Sequence, residues 1–282
     1  MEIIRASVMG FCMGVRRAVD AAEKMAVEYK DKGLPMFTLG PLIHNPALMD
    51  SLEKKGVSVL ESDFSDVKEG CPVVIRAHGA SPHVVRTLEE KGAVIIDATC
   101  PRVMRSQKLV NEWSRKGYSV IIAGDKNHGE VTGIYGYFEK DCGGVFTVVQ
   151  SVEEARSIVP DEKTMLLAQT TFSLEEYEEI KKILRKKNGG IKIFDTICPA
   201  TMERQKSLLE LKGKPDAILV IGGKNSANTA RLFETACKIC PKTALIESPS
   251  EIPADFFALD KIALTAGAST PDWIIEEVVS AL

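Results

Sequence analysis

The sequence predicts an α/β protein made of three related α/β domains whose sheets are mainly parallel. Short β-branched runs alternate with amphipathic stretches along almost the whole chain of 282 residues, a pattern typical of parallel sheets. The chain also contains an internal repeat, which constrains the architecture more than any single segment does. Finally, one cysteine precedes a predicted helix in each repeat.

The repeat is clearest around two of these cysteines. Residues 97–108 and 195–206 share Asp, Cys, Pro, Met, Gln and Lys at a constant offset of 98 positions. A third cysteine, Cys12, lies 88 positions before Cys100 and is also followed by a predicted helix. This spacing predicts three domains, and we place them at residues 13–97, 98–195 and 196–282.

Hydrophobic periodicity assigns the elements of each domain in chain order. In the first domain we expect helices at 14–29, 46–55 and 82–91 and strands at 36–39, 57–60, 73–77 and 94–96. In the second we expect helices at 103–116 and 173–187 and strands at 119–123, 145–149, 164–168 and 191–194. In the third we expect strands at 217–221, 243–246 and 262–265 and a final helix from residue 271.

The third domain is one strand short, and the unassigned strand is residues 2–6 at the start of the chain. We therefore predict that residues 1–12 complete the third domain and close the three repeats in a cloverleaf. Each cysteine then follows the C-terminal end of a strand, where open α/β sheets bind ligands. We expect the three cysteines to face a shared centre.

Composition and charge exclude several classes of protein. The chain is 45% hydrophobic and 27% charged, as in soluble globular proteins. Its net charge of −3 argues against a dedicated nucleic-acid binder. We find neither a membrane-spanning apolar run nor a signal peptide, so we expect no membrane partner and a cytoplasmic location. Seven cysteines in a reducing compartment favour metal binding or redox chemistry over disulfides.

Two further polar loops recur in each repeat, each following a strand and opening a helix. They contain the candidate site residues His44, His78, His128, Glu130, Thr170, Ser226, Asn228 and Ser269. Backbone N–H groups at helix starts bind anions, phosphate above all. We expect these side chains to converge with the cysteines on a small phosphorylated or carboxylated molecule. Glu130, two residues after His128, is the predicted proton donor.

Three thiolates from three domains suit an iron–sulfur cluster, because thiolate is its usual ligand. A [4Fe–4S] cube has four irons, so Cys12, Cys100 and Cys198 leave one iron open for substrate. The other four cysteines have no counterparts in the repeat. Cys71 and Cys142 are predicted to be buried packing residues. Cys237 and Cys240 form a C-x-x-C, typical of a redox pair or half a zinc site, but their place near a helix end favours packing.

With these residues assembled, the sequence resembles the family of 4-hydroxy-3-methylbut-2-enyl diphosphate reductases, which catalyse the last step of the non-mevalonate isoprenoid pathway. The likeness covers the whole chain, from Gly10 to Pro271 and beyond. The matching segments are G-F-C-M-G-V, I-H-N, A-H-G, D-A-T-C-P, Q-T-T, C-P-A-T, K-N-S-x-N and T-A-G-A-S-T-P.

The resemblance implies an oxygen-sensitive [4Fe–4S] cluster held by Cys12, Cys100 and Cys198. It implies reductive dehydroxylation of (E)-4-hydroxy-3-methylbut-2-enyl diphosphate to isopentenyl and dimethylallyl diphosphates, with electrons from a donor such as ferredoxin or flavodoxin. By motif match, the resemblance implies catalytic roles for Glu130, Thr170 and His128. Glu130 would deliver protons, and Thr170 would orient the substrate hydroxyl. The diphosphate would be bound by His44, His78, His128, Thr170, Ser226, Asn228 and Ser269.

The chain departs from the family pattern at two positions. Gly129 stands where the family usually has proline. Glycine costs more conformational entropy to order than proline does. Ala227 stands where a second serine is common, which removes one hydroxyl contact.

Two other functions stay open. One is a quinolinate-synthase-like enzyme, in which a three-cysteine [4Fe–4S] site in three repeated α/β domains acts on carboxylic substrates. The other is a non-enzymatic, zinc-stabilised three-lobed binding protein. The aligned loops contain no arginine, which favours a neutral His/Ser/Asn site and hence a diphosphate over a dicarboxylate.

Overall fold

The computed structural model of the chain describes residues 1–43 and 45–282. Within these residues, twelve strands form three parallel sheets of four strands each, and ten α-helices connect them. This arrangement confirms the predicted α/β class and the predominance of parallel pairing. Parallel sheets are covered by helices on their faces, which explains why their central strands read as unbroken apolar runs in the sequence.

All three sheets have the same strand order when β1 is counted as the last strand of the third repeat, and the second strand of each repeat then lies at an edge. The first sheet is ordered β3-β2-β4-β5, with β2 at Met36–Leu39, β3 at Val57–Leu60, β4 at Pro72–Ile75 and β5 at Val94–Asp97. The second is ordered β7-β6-β8-β9, with β6 at Ser119–Ala123, β7 at Phe146–Val149, β8 at Thr164–Ala168 and β9 at Lys192–Ile193. The third is ordered β11-β10-β12-β1, with β1 at Glu2–Arg5, β10 at Ala217–Ile221, β11 at Thr243–Ile246 and β12 at Lys261–Ala266.

The N-terminal strand pairs as the strand count predicts. β1 runs parallel to β12, with Glu2 opposite Lys261 and Arg5 opposite Leu264. It occupies the position in the third sheet that β5 and β9 occupy in the other two. This confirms that the start of the chain completes the third sheet.

The six helices with predicted bounds are present, with ends that differ by one or two residues, and the other four have no predicted bounds. The observed bounds are α1 Met13–Tyr29, α2 Pro46–Lys54, α3 Pro82–Glu90, α4 Pro101–Arg115, α5 Gly129–Tyr135, α6 Val152–Ser157, α7 Leu174–Lys187, α8 Pro199–Leu209, α9 Ala227–Ile239 and α10 Asp272–Ala281. Ser173 caps α7 as expected, because its Oγ accepts a hydrogen bond from the backbone N–H of Glu176. No helix of the described residues is long and apolar enough to cross a membrane.

Four strands are shorter than predicted. β1 and β7 are shorter by one residue each, while the early ends of β4 and β9 change the loops that follow. β4 ends at Ile75 rather than residue 77, so Arg76 and Ala77 belong to the loop that carries His78. β9 spans only Lys192–Ile193 instead of residues 191–194. The chain still runs beside β8 there, because the backbone N–H of Phe194 donates to the carbonyl of Leu166 at 2.9 Å.

The chain divides into two compact units. One contains residues 1–16, 43–54 and 199–282 and holds the third sheet. In its core the sheet packs against α10 on one side and against α8 and α9 on the other, through buried residues such as Leu264, Ile274 and Leu232.

The other unit contains residues 17–42 and 55–198 and holds the first and second sheets. Leu88 of α3 packs on the first sheet, while Val110 of α4 and Ile134 of α5 pack on the second. Full burial of a side chain of this size contributes about 1.5–3 kcal/mol. The domain boundaries at residues 97 and 195 stay a prediction.

Candidate active site

The three repeat cysteines have equivalent backbone positions. The backbone N–H of each one donates to a carbonyl in the second polar loop of its own sheet. The pairs are Cys12 with Ala268 at 3.2 Å, Cys100 with Ala77 at 3.0 Å and Cys198 with Thr170 at 2.8 Å. Each cysteine is therefore held beside the loop that carries a predicted substrate-binding residue.

The thiols of these cysteines suit a role as ligands. Within the described residues none of the three forms a disulfide, and all three are half-buried. The Sγ of Cys12 also accepts a hydrogen bond from the backbone N–H of Val15 at 3.4 Å, and hydrogen bonds to ligand sulfur tune the potential of an iron–sulfur centre. Among the described residues, no group of three His, Cys, Asp or Glu side chains is arranged to hold a single metal ion.

Thr170 donates two hydrogen bonds to the carboxylate of Glu130. Glu130 is 1% exposed. Oε1 accepts from the backbone N–H of Thr170 at 2.7 Å, and Oε2 accepts from the Thr170 hydroxyl at 2.6 Å. A carboxyl group removed from water needs such donors, because burying it without them is costly. The structure thus brings together two of the three predicted catalytic residues.

His128 is the third, and it lies at the start of the same helix. It is the N-cap of α5, and its Nδ1 accepts a hydrogen bond from the backbone N–H of Glu130 at 3.2 Å. The neutral imidazole therefore carries its proton on Nε2. The ring of His78 lies 4.8 Å from that of His128, at 77°. His78, His128, Glu130 and Thr170 form one connected group.

Gln169 fixes the two loops of this group relative to each other. It is buried, its Oε1 accepts from the backbone N–H of Asp125 at 2.8 Å, and its Nε2 donates to the Thr171 hydroxyl at 2.9 Å. It thereby links the loop before α5 to the loop after β8. The sequence marks this glutamine only as part of a Q-T-T motif and gives no sign of its bridging role.

Arg76 is a charged residue of the site that the repeat did not reveal. Its Nη1 donates to the carbonyl of Pro41 at 3.2 Å. A side-chain carbon on Gly129 would meet Nη2 of Arg76, and one on Gly40 would lie 2.9 Å from its Cζ. Burial lowers the pKa of this guanidinium, which nevertheless keeps its charge at neutral pH. The aligned loops lack arginine, but one lies immediately before A-H-G.

Three further predicted residues lie in the unit that holds the third sheet. The Oγ of Ser226 caps α9 by accepting from the backbone N–H of Thr229 at 3.4 Å, and the hydroxyl of Ser269 donates to that Oγ at 3.4 Å. Asn228 is 5% exposed, and its Nδ2 has no hydrogen-bond partner among the described residues. An unsatisfied buried amide costs about 1–3 kcal/mol. A bound anion would satisfy it.

Arg204 supports the loop that carries Cys12. It is 3% exposed, and its Nη2 donates to the carbonyl of Gly10 at 2.5 Å. Its Nη1 donates to the carbonyl of Ala200 at 2.8 Å, one helical turn back in α8. Because Gly10 lies two residues before Cys12, this buried arginine positions the cysteine. Sequence reasoning missed it, since an arginine in a helix ordinarily reads as a surface residue.

The remaining predicted residues have mixed outcomes. Cys71 is buried as expected, but the expected burial of Cys142 is wrong, because it lies exposed in a short 3-10 turn at Lys140–Cys142. Cys240 is buried, and its Sγ donates to the carbonyls of Asp216 at 3.7 Å and Lys242 at 3.4 Å.

Cys237 is exposed near the end of α9. The structure thus places the two thiols of the C-x-x-C in unlike environments. His44 lies outside the described residues.

Comparison with known proteins identifies relatives over almost the full chain. A family model described as LytB protein matches residues 3–282. The 4-hydroxy-3-methylbut-2-enyl diphosphate reductase of Treponema denticola is 47% identical over 288 aligned residues, which cover 99% of this chain and 98% of that protein. The reductase of the same name from Aquifex aeolicus is 40% identical over 281 residues, covering 99% and 95%.

Two solved structures share the fold. One is described as (E)-4-hydroxy-3-methyl-but-2-enyl diphosphate reductase, the terminal enzyme of the non-mevalonate pathway. It is 39% identical with a TM-score of 0.72, and the match covers 100% of this chain and 99% of that one. The other is E-1-hydroxy-2-methyl-but-2-enyl-4-diphosphate reductase from Plasmodium falciparum, 28% identical with a TM-score of 0.91, covering 100% and 87%.

Proposed function

The chain belongs to the LytB protein family, and we propose that it reductively removes the allylic hydroxyl of (E)-4-hydroxy-3-methylbut-2-enyl diphosphate. The products are isopentenyl diphosphate and dimethylallyl diphosphate. Relatives named for this reaction match almost the entire chain. The observation that carries the proposal is the buried Glu130 carboxylate held by both donors of Thr170, beside His128. Such a pair suits delivery of a proton to a departing hydroxyl.

The proposed cofactor is a [4Fe–4S] cluster held by Cys12, Cys100 and Cys198. Three half-buried cysteines outside any disulfide of the described residues, each fixed by the same kind of backbone hydrogen bond, fit this cofactor. When bound, the cluster supplies electrons singly and offers an iron without a protein ligand as a Lewis acid for the substrate oxygen. The exposed Cys237 and the Cys240 thiol, which already donates to backbone carbonyls, are not part of this set.

The hydrogen bonds between Thr170 and Glu130 support a proton path at the atom level. The Thr170 N–H always donates to Oε1 of Glu130, so a proton on the carboxyl group sits on Oε2. Oε2 then donates to the Thr170 hydroxyl, which reverses the direction of the 2.6 Å bond. A hydroxyl that accepts a proton on one side can donate on the other. Thr170 thereby passes the proton of Glu130 to the substrate oxygen, which leaves as water.

The diphosphate is assigned to His44, His78, His128, Ser226, Asn228 and Ser269. Two observations support this assignment: the unsatisfied Nδ2 of Asn228, and the Nε2 proton that the capping interaction leaves on His128. N–H and O–H donors of this kind bind phosphate oxygens without requiring lysine. The half-buried Arg76 lies against Gly129 and adds positive charge next to His128.

The electrons come from a carrier such as ferredoxin or flavodoxin, and the protein acts in the cytoplasm. Within the described residues none of the seven cysteines forms a disulfide, which agrees with a reducing compartment. The overall reaction consumes two electrons and two protons for each hydroxyl that leaves as water.

The test is an anaerobic turnover assay with the diphosphate substrate and dithionite as reductant. We expect both isoprenoid diphosphates to form, and a brown protein that contains about four irons per chain. A brown protein that leaves the diphosphate unchanged but condenses carboxylic substrates would instead support the quinolinate-synthase-like function. A colourless zinc protein would support the three-lobed binding protein.

A further inference from the structure

A row of positive side chains follows one of the proposed cluster ligands. Cys100 is the N-cap of α4, and the helix carries Arg102, Arg105 and Lys108 at three-residue spacing. Residues three apart are neighbours on a helix surface. All three side chains are exposed, and none of them forms an ion pair within the described residues.

Helix stability does not explain this row. The N-terminus of a helix favours negative charge, yet the first turn of α4 contains no acidic residue. Like charges at this spacing also repel. α7 shows the favourable arrangement, with Glu175 and Glu176 in its first turn and three basic residues in its last turn.

The far end of α4 provides an internal contrast. There Arg115 pairs with Glu139 at 3.2 Å and Lys116 pairs with Glu112 at 2.6 Å. Cations on this helix are therefore paired where the helix lies far from Cys100 and unpaired where it lies close.

A fourth cation extends the row. The exposed Arg17 donates from Nη2 to the carbonyl of Asp97 at 3.3 Å, three residues before Cys100. No ion pair of Arg17 is present within the part of the chain that the structure describes. We call Arg17, Arg102, Arg105 and Lys108 the basic face.

The internal repeat shows that the fold does not require this charge. In α8, which follows Cys198 as α4 follows Cys100, the equivalent positions hold Ala200, Glu203 and Lys206. In α1, which follows Cys12, the equivalent positions hold Gly14, Arg17 and Asp20, of which only Arg17 is a cation. Three cations in this row are therefore not a general feature of the repeat.

We propose that the basic face docks the acidic surface of a small one-electron carrier protein of the ferredoxin or flavodoxin type. The inference rests on the proposed function, in which ROH, two electrons and two protons give RH and water. Two reduced carriers are each oxidised by one electron per turnover. The chain has a net charge of −3, so most of its surface repels an acidic protein and a local positive patch orients the encounter.

The test measures binding apart from catalysis. The triple variant R102Q/R105Q/K108Q is titrated calorimetrically with a purified acidic ferredoxin at low and high salt. We expect binding at low salt to weaken about tenfold and to lose most of its salt dependence. Turnover driven by dithionite should stay within about twofold of native, because this small reductant needs no docking surface.

The matched control is K206Q, at the position in α8 that corresponds to Lys108. It should leave ferredoxin binding unchanged. Native affinity and native salt dependence in the triple variant would overturn the proposal, as would an equal loss in K206Q. Preferential binding of a DNA duplex, with no binding of ferredoxin, would also overturn it. Failure of the native enzyme to turn over the diphosphate with dithionite would contradict the proposed function, while the titration would still test the basic face.

Discussion

Glu130 and Thr170 are joined twice, by bonds of 2.7 and 2.6 Å to the two oxygens of one buried carboxylate. The carbonyl of the same threonine accepts the backbone N–H of Cys198 at 2.8 Å. Thr170 therefore contacts the proposed proton donor with its N–H and hydroxyl and a proposed cluster ligand with its carbonyl. A displacement of this one residue would disturb both.

Thr170→Val tests the proton path with little change in shape. It keeps the backbone N–H to Oε1 but removes the hydroxyl between Oε2 and the substrate. A positioned acid contributes about 10²–10⁴ in rate, so we expect both Thr170→Val and Glu130→Gln to lower kcat by about that range. The double variant should lose little more than either single change, because the residues act as a unit. Turnover with dithionite and the visible absorbance of the cluster are the measurements.

The neighbouring Thr171 is the control for this pair. Its hydroxyl accepts from Gln169 Nε2 at 2.9 Å and does not touch Glu130. Thr171→Val should keep most of the native rate. Full activity of Thr170→Val, or an equal loss in both threonine variants, would remove the threonine from the proton path.

Gly129→Ala tests the contact between Gly129 and Arg76. Alanine favours a helix over glycine by about 0.5–1 kcal/mol, so propensity alone predicts a stabler protein. The added carbon would meet Nη2 of Arg76, and we expect the guanidinium to move and KM for the diphosphate to rise. In an Arg76→Ala background the same change should raise Tm and leave KM unaltered. Additive effects of the two changes on KM would contradict this coupling.

Serine substitutions test the exclusion of the C-x-x-C from the cluster. We expect Cys237→Ser and Cys240→Ser to retain the native iron content. Partial desolvation raises the pKa of the Cys237 thiol, although the residue lies at the surface, so iodoacetamide should alkylate it more slowly than a free thiol at the same pH. Loss of iron in either variant would restore a metal-binding role for this pair.

We expect the buried phenol of Tyr177 to make the free energy of unfolding fall at alkaline pH. Its hydroxyl donates to the carbonyl of Phe194 at 2.8 Å, and burial raises the pKa of the phenol. The folded state thus favours the neutral phenol. This contribution is complete below the unfolded pKa of about 10 and is lost as the pH rises beyond it.

Tyr177→Phe should remove this pH dependence. It should also cost about 1–3 kcal/mol at pH 7, because it leaves the Phe194 carbonyl without its buried donor. Urea unfolding of both proteins at pH 7 and pH 11 measures the difference. An equally steep alkaline loss in the variant would assign the effect to another group.

Sequence spacing was sufficient for features that depend on the backbone. Counting strands placed β1 beside β12, and the repeat offsets brought Glu130 and Thr170 into one group. Spacing failed where a long side chain decides the contact. Arg76 reaches Gly129, and Arg204 reaches Gly10, across distances in sequence that no local pattern encodes.

The sequence also did not predict whether a cysteine outside the repeat is buried or exposed. Cys71 and Cys142 both lack counterparts in the repeat, yet one is enclosed by the first sheet and the other lies exposed in a turn. The burial of each cysteine depends on the helices and strands around it, and the identity of the residue alone does not predict that burial.

The pairing of β1 with β12 has a consequence for synthesis on the ribosome. Residues 2–5 leave the ribosome well before their partners at 261–264 are synthesised. Until then this short segment has no pairing strand, and contacts so distant in sequence form slowly. A nascent chain must therefore keep residues 2–5 available until residues 261–264 have left the ribosome, and a bulky domain fused directly before residue 2 would delay this pairing.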